Sequence, residues 1–600
     1  MTSLGGAIDV LEDNRTFGRT HAVSRAIAHK NRVFGQSHWM NGFMIYRDVI
    51  ELIEPHLRDR SSTILVDMHK AKALARAIKS QRSPIWPTPP TTELPSKQIC
   101  DDLADGYGRT IESVYRVLHI PSFRREYEAL WTPNSKASMP FMIQVKLVLA
   151  IGATVYDENF SMRTEATRWV YEAQTWLSSP TFKSRLGIQY LQISILLLLA
   201  RSLVDVGSEL VWISTGSVIR AAIYAGLHKD PSRLPRMTVF ESEMRRRIWN
   251  TILEISTQSS LESGGPALIS LEDFDTAAPS NCDDEQLTAP DCVAKDDTVF
   301  TDTSFPIALR KTLPARLAVV KFLNDNASAG TFEETLRIDA ALRSAYKALR
   351  RTILGYHKSG VSLVERFDVD AVEFIMLQYI TSLHLPFFAL SLHDPVYAYS
   401  RKAVVDSSFK IWTSVYARSI HLPGDEHDLG DEHDFVRLCL CGSGFFRTFA
   451  FHAATFLGAE VRAQIEEDSE EISSTMSASA LSKTIEEAAS WYLRCMEAGE
   501  TGLKGYLLLK ILGAQIEGTR LGLDKANMAA FLTEAVEEAV ETCLRLLEAM
   551  AGQDRNGLDA RGTDGSDYQV SPEFMEDWDL IMSDLFSFDS GGESFESFLV

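Results

Sequence analysis

The residues best suited to chemistry cluster in "AAIYAGLHKDPSRLPRMTVFESEMRRRIWNTILEIS", positions 221–256. His228 and Asp230 are of the types used for general-base work, an imidazole with an orienting carboxylate. Arg245, Arg246 and Arg247 are of the type that grips phosphates. Catalysis would need a nucleophile and a glycine-rich turn near the pair, and neither motif accompanies it. A DNA grip would rest on one arginine triplet in a chain of net charge −21, which should repel nucleic acid as a whole. The third reading, a polar network fastening two packed helices, needs no further residues and is adopted.

Other chemical patterns are weaker. "DEHDLGDEHD" (425–434), with His421 before it and Cys439 and Cys441 after it, is rich in metal-ligand types. Its ligands alternate along a polar insert without a recognised zinc spacing, so a solvated acidic loop is expected. "GSGFF" (442–446) lacks the preceding strand and following Lys-Ser/Thr of a phosphate loop. No Gly-x-Ser-x-Gly elbow or His-Glu-x-x-His helix occurs. No catalytic, cofactor or metal residue is assigned, and the chain is not expected to be an enzyme.

The elements that position the cluster are legible. One helix should end at Gly226, which can take the left-handed C′ position, with Leu227 folding back and Pro231 preventing continuation. His228 and Asp230 then lie just past its C-terminus, where an imidazolium would complement the helix dipole. "TVFE" starts the next helix as a capping box, Thr238 with Glu241. On that helix Met244, Ile248, Ile252 and Ile255 form one apolar stripe flanked by Trp249. The wheel puts Arg245 inside the apolar arc, Arg246 away from it and Arg247 on a flank. A guanidinium in an apolar arc needs a partner, and Glu241 and Asp230 are the candidates for Arg245. Glu243 is spaced to pair with Arg246 or Arg247.

Helical periodicity continues through the chain, near 141–156, 163–178, 186–205, 209–226, 239–260, 304–325, 333–355, 367–392, 395–418, 434–462, 479–497, 503–519 and 526–550. Strict alternation is scarce, so an all-α fold is expected, interrupted by linkers. "SPIWPTPPTTELPSK" (83–97) should be extended and mobile. The acidic stretch 275–298 reads as a loop between helical layers, and 551–572 as a Gly/Asp-rich spacer. "LGIQYLQISILLLLA" (186–200) falls short of the ~20 residues that span a bilayer and reads as a buried helix. No basic region followed by an apolar run marks a signal peptide at the N-terminus. Seven cysteines without Cys-x-x-Cys pairs suit reduced intracellular thiols.

The run "WISTGSVIRAAIYAGLHKDPS … EMRRRIWNTILEIS … GGPALISLEDFDTAAPS" resembles the regulatory middle region of fungal zinc-cluster transcription factors. Gly226, Leu227, His228, Asp230 and Pro231 carry the first motif. Glu243, Arg245, Arg246, Arg247 and Trp249 carry the second; Gly264, Pro266, Ile269 and Asp273 carry the third. "SVYRVLHIPSFRREYEALW" (113–131) resembles the start of the same region, as a helix, a His-x-Pro-Ser-Phe element and a helix. "FGQSHWMNG" (34–42) is similar to the segment that precedes it in some members. The resemblance covers roughly 100–420. One departure is Gly265, where the family carries arginine. Another is the zinc cluster itself, which needs six closely spaced cysteines, whereas residues 1–280 contain one. Either a first exon is missing or the regulator lacks its own DNA reader, and zinc is expected only with such an N-terminal module.

These readings divide the chain into an N-terminal segment with its linker (1–98), the middle region (99–420), an acidic His-containing insert (421–435), a C-terminal helical part (436–550) and an acidic tail (551–600). Residues 571–600 hold eight acidic residues, no basic ones and six aromatics. There Phe574, Trp578, Ile581, Met582, Leu585 and Phe586 follow a helical spacing. That composition suits a disordered segment that folds into a partner's apolar groove, here a transcription coactivator. The expected function is a nuclear regulator of RNA polymerase II genes whose helical body controls this tail. The resemblance further implies DNA reached through the absent module or a partner, a homo- or heterodimer, and a small-molecule inducer; no membrane partner is expected. The alternative is a helical ligand-binding protein or enzyme with a pocket within 140–420.

Overall fold

A computed structural model describes residues 2–4, 8–13, 23–29, 32–57, 63–133, 137–179, 187–289, 292–325, 330–358, 360–362, 366–416, 434–468 and 478–559. The fold is mostly helical, but its start corrects the all-α expectation. Strands β1 (Thr2–Leu4), β2 (Ile8–Asp13), β3 (Val23–His29) and β4 (Arg32–Gly35) form an antiparallel meander in the order β1-β2-β3-β4. Thr2 pairs with Val10, Ile8 with His29 and Ala26 with Gly35, with an irregularity at Leu11/Glu12. Strands of three to seven residues are too short for alternation to stand out.

The helices follow. Three precede the Pro-rich segment: α1 (Trp39–Phe43), α2 (Arg47–Leu57) and α3 (Thr63–Arg82). Next come α4 (Lys97–Arg109), α5 (Ile111–Tyr115), α6 (Ile120–Leu130), α7 (Met139–Gly152), α8 (Arg163–Ser178), α9 (Ile188–Val204), α10 (Val211–Tyr224) and α11 (Val239–Ser263). Beyond the acidic loop run α12 (Ser304–Asn324), α13 (Phe332–Lys358), α14 (Phe367–Ser391) and α15 (Ala398–Tyr416). The last are α16 (Asp434–Cys441), α17 (Phe445–Asp468), α18 (Ala478–Glu497), α19 (Lys504–Arg520) and α20 (Lys525–Asp559).

The periodic run at 434–462 is therefore two helices. The chain breaks at Gly442–Gly444, where Ser443 N–H donates to the Leu203 carbonyl at 2.8 Å instead of to its own helix. Helix α20 runs to Asp559, into the stretch read as a spacer. The tail residues Phe574, Trp578, Ile581, Met582, Leu585 and Phe586 lie outside the described residues, as do His421 and 425–433 of the acidic insert.

Helices α7, α9 and α14 are apolar on nearly every face and sit inside the fold, as helices without a polar side must. Helix α14 is long and apolar enough to cross a membrane, yet 83% of its apolar window is buried against protein. Helices α4, α8 and α9 pack around α7, while α15 bridges α14 and α17. Helix α3 lies along α20, joining the N-terminal segment to the C-terminal part. Lys70 pairs there with Glu548 at 2.6 Å. One hydrophobic core runs from Ile27 to Met550.

The Pro-rich segment is extended but anchored, which corrects the expected mobility. Thr88 N–H donates to Thr175 Oγ1 at 3.1 Å, and Thr91 N–H to Glu172 at 3.0 Å. Glu172 is itself held by Lys146 at 2.5 Å, and neither side chain meets solvent. Lys146 also donates to the Thr91 carbonyl at 2.8 Å. A buried ion pair thus fastens a segment whose composition alone suggests a free linker.

Candidate functional site

The three motif segments meet around α11. Helix α10 ends in a paired hydrogen-bond lock: Leu227 N–H donates to the Ala222 carbonyl and Gly226 N–H to that of Ile223, both at 2.9 Å. Gly226 takes φ +75°, the left-handed conformation this lock requires and glycine adopts without a Cβ penalty. Leu227 is fully buried. Asp230 then caps the 3-10 turn Pro231–Arg233, accepting from Ser232 N–H at 3.0 Å.

Helix α11 begins with the capping box. Glu241 N–H donates to Thr238 Oγ1 at 3.1 Å, and Thr238 N–H to the Glu241 carboxylate at 2.9 Å. Met244, Ile248, Ile252, Ile255 and Trp249 are buried, and Trp249 meets Phe274 edge-on at 5.7 Å between ring centres.

The arginines divide otherwise than the wheel places them. Arg247, assigned to a flank, is the buried one and donates to Asp284 at 2.5 Å. Arg246, assigned to solvent, is 21% exposed and clasps Asp230 with two bonds of 2.9 and 3.0 Å, with Glu243 at 3.6 Å. Arg245, assigned to the core, is half-buried and donates to the Ala225 carbonyl at 2.7 Å. It pairs with neither Glu241 nor Asp230: Glu241 serves the capping box and Asp230 holds Arg246. The cation at the C-terminus of α10 is therefore Arg245, the role expected of His228. The Nδ1 of His228 is buried without a hydrogen-bond partner, and its ring lies 6.4 Å from that of Trp249.

The wheel fails because α11 is covered by α10, α12, α9 and α5 and by the acidic loop. Polar residues on its nominally wet side, including Asn250, Thr251, Glu254 and Gln258, are buried too. A helix without a solvent face in its middle has no apolar arc to read.

Two carboxylates organise the region. Asp230 also accepts from Ala277 N–H at 3.0 Å, while its own N–H donates to Asp275 at 2.7 Å. Asp275 in turn holds Arg233 at 2.7 Å. The Arg246 guanidinium, together with these backbone donors, holds the Asp230 carboxyl well below the usual range. Asp284 lies deeper, in contact with Arg116 and Arg247 and accepting from Ile120 N–H at 2.9 Å. His119 Nε2 meets the Asp284 carbonyl oxygen at 2.8 Å, so the His-x-Pro-Ser-Phe element is fastened to the same point. Burial alone would raise the Asp284 carboxyl, but Arg116 and Arg247 outweigh it and hold it at about 2.

Sequence reasoning missed Asp284, Arg116 and Asn324. Arg116 was visible within "SVYRVLHIP", but its partner is 168 positions away. Asn324 at the end of α12 donates to the Gly265 carbonyl at 2.8 Å and to Ser37 Oγ at 2.9 Å. It thereby ties "FGQSH" to the third motif. Where the family carries arginine, a Cβ on Gly265 would lie 2.5 Å from the Trp212 ring, so the indole fills that space.

Ser400 Oγ and His384 Nδ1 share a hydrogen bond at 2.9 Å, and an Asp339 carboxylate oxygen lies 3.1 Å from Nε2. Ser400 and His384 have no exposure and Asp339 has 3%, so no substrate reaches the hydroxyl. A recess between α11, α12 and the third motif, lined by Ser256, Ser260, Leu268, Phe274 and Leu313, encloses about 270 Å³ including space open to solvent. Among the described residues no three His, Cys, Asp or Glu side chains form a metal site, and the scattered cysteines do not fit a two-zinc cluster.

Comparison with known proteins agrees with this picture. Residues 107–355 match the model of the fungal specific transcription factor domain. The chain is 32% identical to transcription factor opdR of Penicillium oxalicum over 567 residues, 88% of this chain and 70% of the relative. It is 29% identical to transcription factor lepE of Aspergillus flavus, across 87% of this chain and 64% of the relative. Against the aspyridones cluster regulator apdR of Emericella nidulans it is 26% identical, across 70% of this chain and 57% of that protein. The chain thus spans 57% to 70% of the length of these relatives. Its three motifs, their shared packing and this likeness place it together with gene regulators and not with enzymes: the chain belongs to the family of fungal-specific transcription factors.

Proposed function

We propose that this protein is a nuclear regulator of a gene cluster that makes a secondary metabolite. The observation that carries the reading is the likeness to relatives named as cluster regulators, the aspyridones regulator among them. The helical body acts as a rigid platform, its motif segments locked by buried ion pairs, and the acidic tail recruits a coactivator. DNA is reached through a zinc-cluster module outside residues 1–600 or through a dimer partner. In the resting state the body masks the tail; a ligand or partner favouring the open form by ~1.4 kcal/mol would shift that balance tenfold.

Two experiments test this. Deletion and overexpression of the gene should change, in opposite directions, the transcripts of one contiguous set of biosynthetic genes; unchanged transcripts in both strains would sink the cluster reading. Residues 551–600 fused to an unrelated DNA-binding domain should activate a reporter, and adding residues 100–550 should lower the signal. A silent tail would remove the activation role.

A further inference from the structure

In the loop between α11 and α12, Cys282 and Cys292 bring their sulfur atoms to 3.5 Å. We propose that this pair is a site of reversible oxidative modification, converted to an intraloop disulfide by a hydroperoxide or a small-molecule disulfide such as oxidised glutathione.

Three observations carry this. First, the approach is built by the loop. Lys295 N–H donates to the Asn281 carbonyl at 2.8 Å, and the Lys295 ammonium pairs with Asp283, so the chain around Cys292 is held beside the chain around Cys282. Cys282 N–H is fixed to Thr303 Oγ1 at 3.2 Å. Disulfide formation needs the sulfurs to close from this distance to about 2.0 Å. Second, the two thiols differ in access. Cys292 is half-buried, while Cys282 and the five cysteines outside the loop are buried. Third, the pair adjoins the region's deepest ion cluster: Asp284 is two residues beyond Cys282.

The chemistry balances without a metal. Burial, reinforced by the Cys292 contact, pushes the Cys282 thiol up to about 12, so the more accessible Cys292 reacts first. Its sulfur attacks the peroxide oxygen, the O–O bond breaks and a sulfenic acid forms with release of water or an alcohol. The Cys282 sulfur then attacks that of Cys292. The S–S bond forms, the S–O bond breaks, and the departing hydroxide takes the Cys282 proton as water. Two thiols are oxidised and one peroxide is reduced. With oxidised glutathione, a mixed disulfide on Cys292 is resolved by Cys282, and two glutathione thiols are released in all. The product closes the loop around Asp284 and braces the carboxylate that holds Arg116, Arg247 and the Ile120 amide.

The test uses the full chain, treated with hydrogen peroxide or oxidised glutathione under native conditions and followed by alkylation and peptide mapping. We expect the peptides holding Cys282 and Cys292 to appear joined and lighter by two hydrogens, to separate on reduction, and to exchange the Ile120 amide hydrogen more slowly while joined. The other five thiols should remain alkylatable after denaturation. In Cys282→Ser, Cys292 should stop at the glutathione adduct or at higher oxides; in Cys292→Ser, Cys282 should stay reduced. Cys292 modified in the wild-type chain while Cys282 keeps a free thiol would overturn the proposal. So would linkage appearing only as the helical circular dichroism is lost.

Discussion

Asp230 and Asp284 are both aspartates gripped by arginines from the same triplet, yet they hold the region differently. Asp230 is itself only 6% exposed, but its guanidinium partner Arg246 is 21% exposed, and its partners Ser232, Arg246 and Ala277 all lie within fifty residues of it. Asp284 is 3% exposed and joins two guanidiniums, Arg247, 37 residues away and without exposure, and Arg116, 168 residues away. A pair whose cation stays partly solvated gives up less hydration and gains correspondingly less. A buried carboxylate between two buried cations cannot lose its charge without stranding Arg247 and leaving Arg116 only Glu112, at 4.0 Å. Similar residues in adjacent positions of one helix therefore do unequal work, and depth decides which matters more.

The comparison can be broken most directly at Asp284. Asp284→Asn should cost about 3–5 kcal/mol, because buried Arg247 loses its counter-charge and Arg116 keeps only Glu112. Urea unfolding of the variant reads this, and a loss no larger than that of Asp230→Asn would end the distinction between the two sites. Next in size is Arg247→Ala, at about 3 kcal/mol, with Arg247→Met milder because it refills the volume without a charge.

Acid gives a smaller effect on the same site. The Asp284 carboxyl titrates at about 2 in the folded chain against 3.8 for the free side chain. Its contribution is therefore complete above the unfolded value and is lost as pH falls from about 4 to about 2, amounting to roughly 2 kcal/mol. In Asp284→Asn that part of the acid dependence should vanish, as measured by unfolding at stepped pH.

Gly265→Arg, which restores the family's residue, should cost about 1–3 kcal/mol by overpacking against Trp212. The double variant with Trp212→Ala should recover part of the loss; additive losses would show that the indole is not what excludes the side chain. The smallest effects belong to the outer arginines: Arg246→Ala at about 1.5 kcal/mol and Arg245→Ala at about 1 kcal/mol, each losing charge-assisted hydrogen bonds near solvent. If Arg245→Ala proved costlier than Arg247→Ala, the helical-wheel assignment would be restored and the buried cluster demoted.

Much of the architecture was readable from spacing. The helix at Arg163–Ser178 starts and stops where its periodicity does, and the Gly226 stop and the Thr238 capping box are local devices whose atoms lie within a few residues. Signals of that range survive in a linear string. The short strands at 2–35 were not readable, because three to seven residues hold too little alternation. The anchoring of 83–97 was not readable either, since it depends on Lys146 and Glu172 being brought beneath it. Asp284 lay within an acidic loop among several carboxylates, and nothing in its neighbours distinguishes it.

The sequence by itself determined the helical class, most helix limits, the caps around Gly226 and Thr238, and the motif order that marks the family. Each depends on backbone hydrogen bonds and side chains within a turn or two of one another. Tertiary structure alone decided which arginine is buried, which carboxylate receives it, and that two loop cysteines face each other. Burial and ion pairing depend on what covers a residue from other segments, and α11 is covered on the side that its own wheel assigns to water.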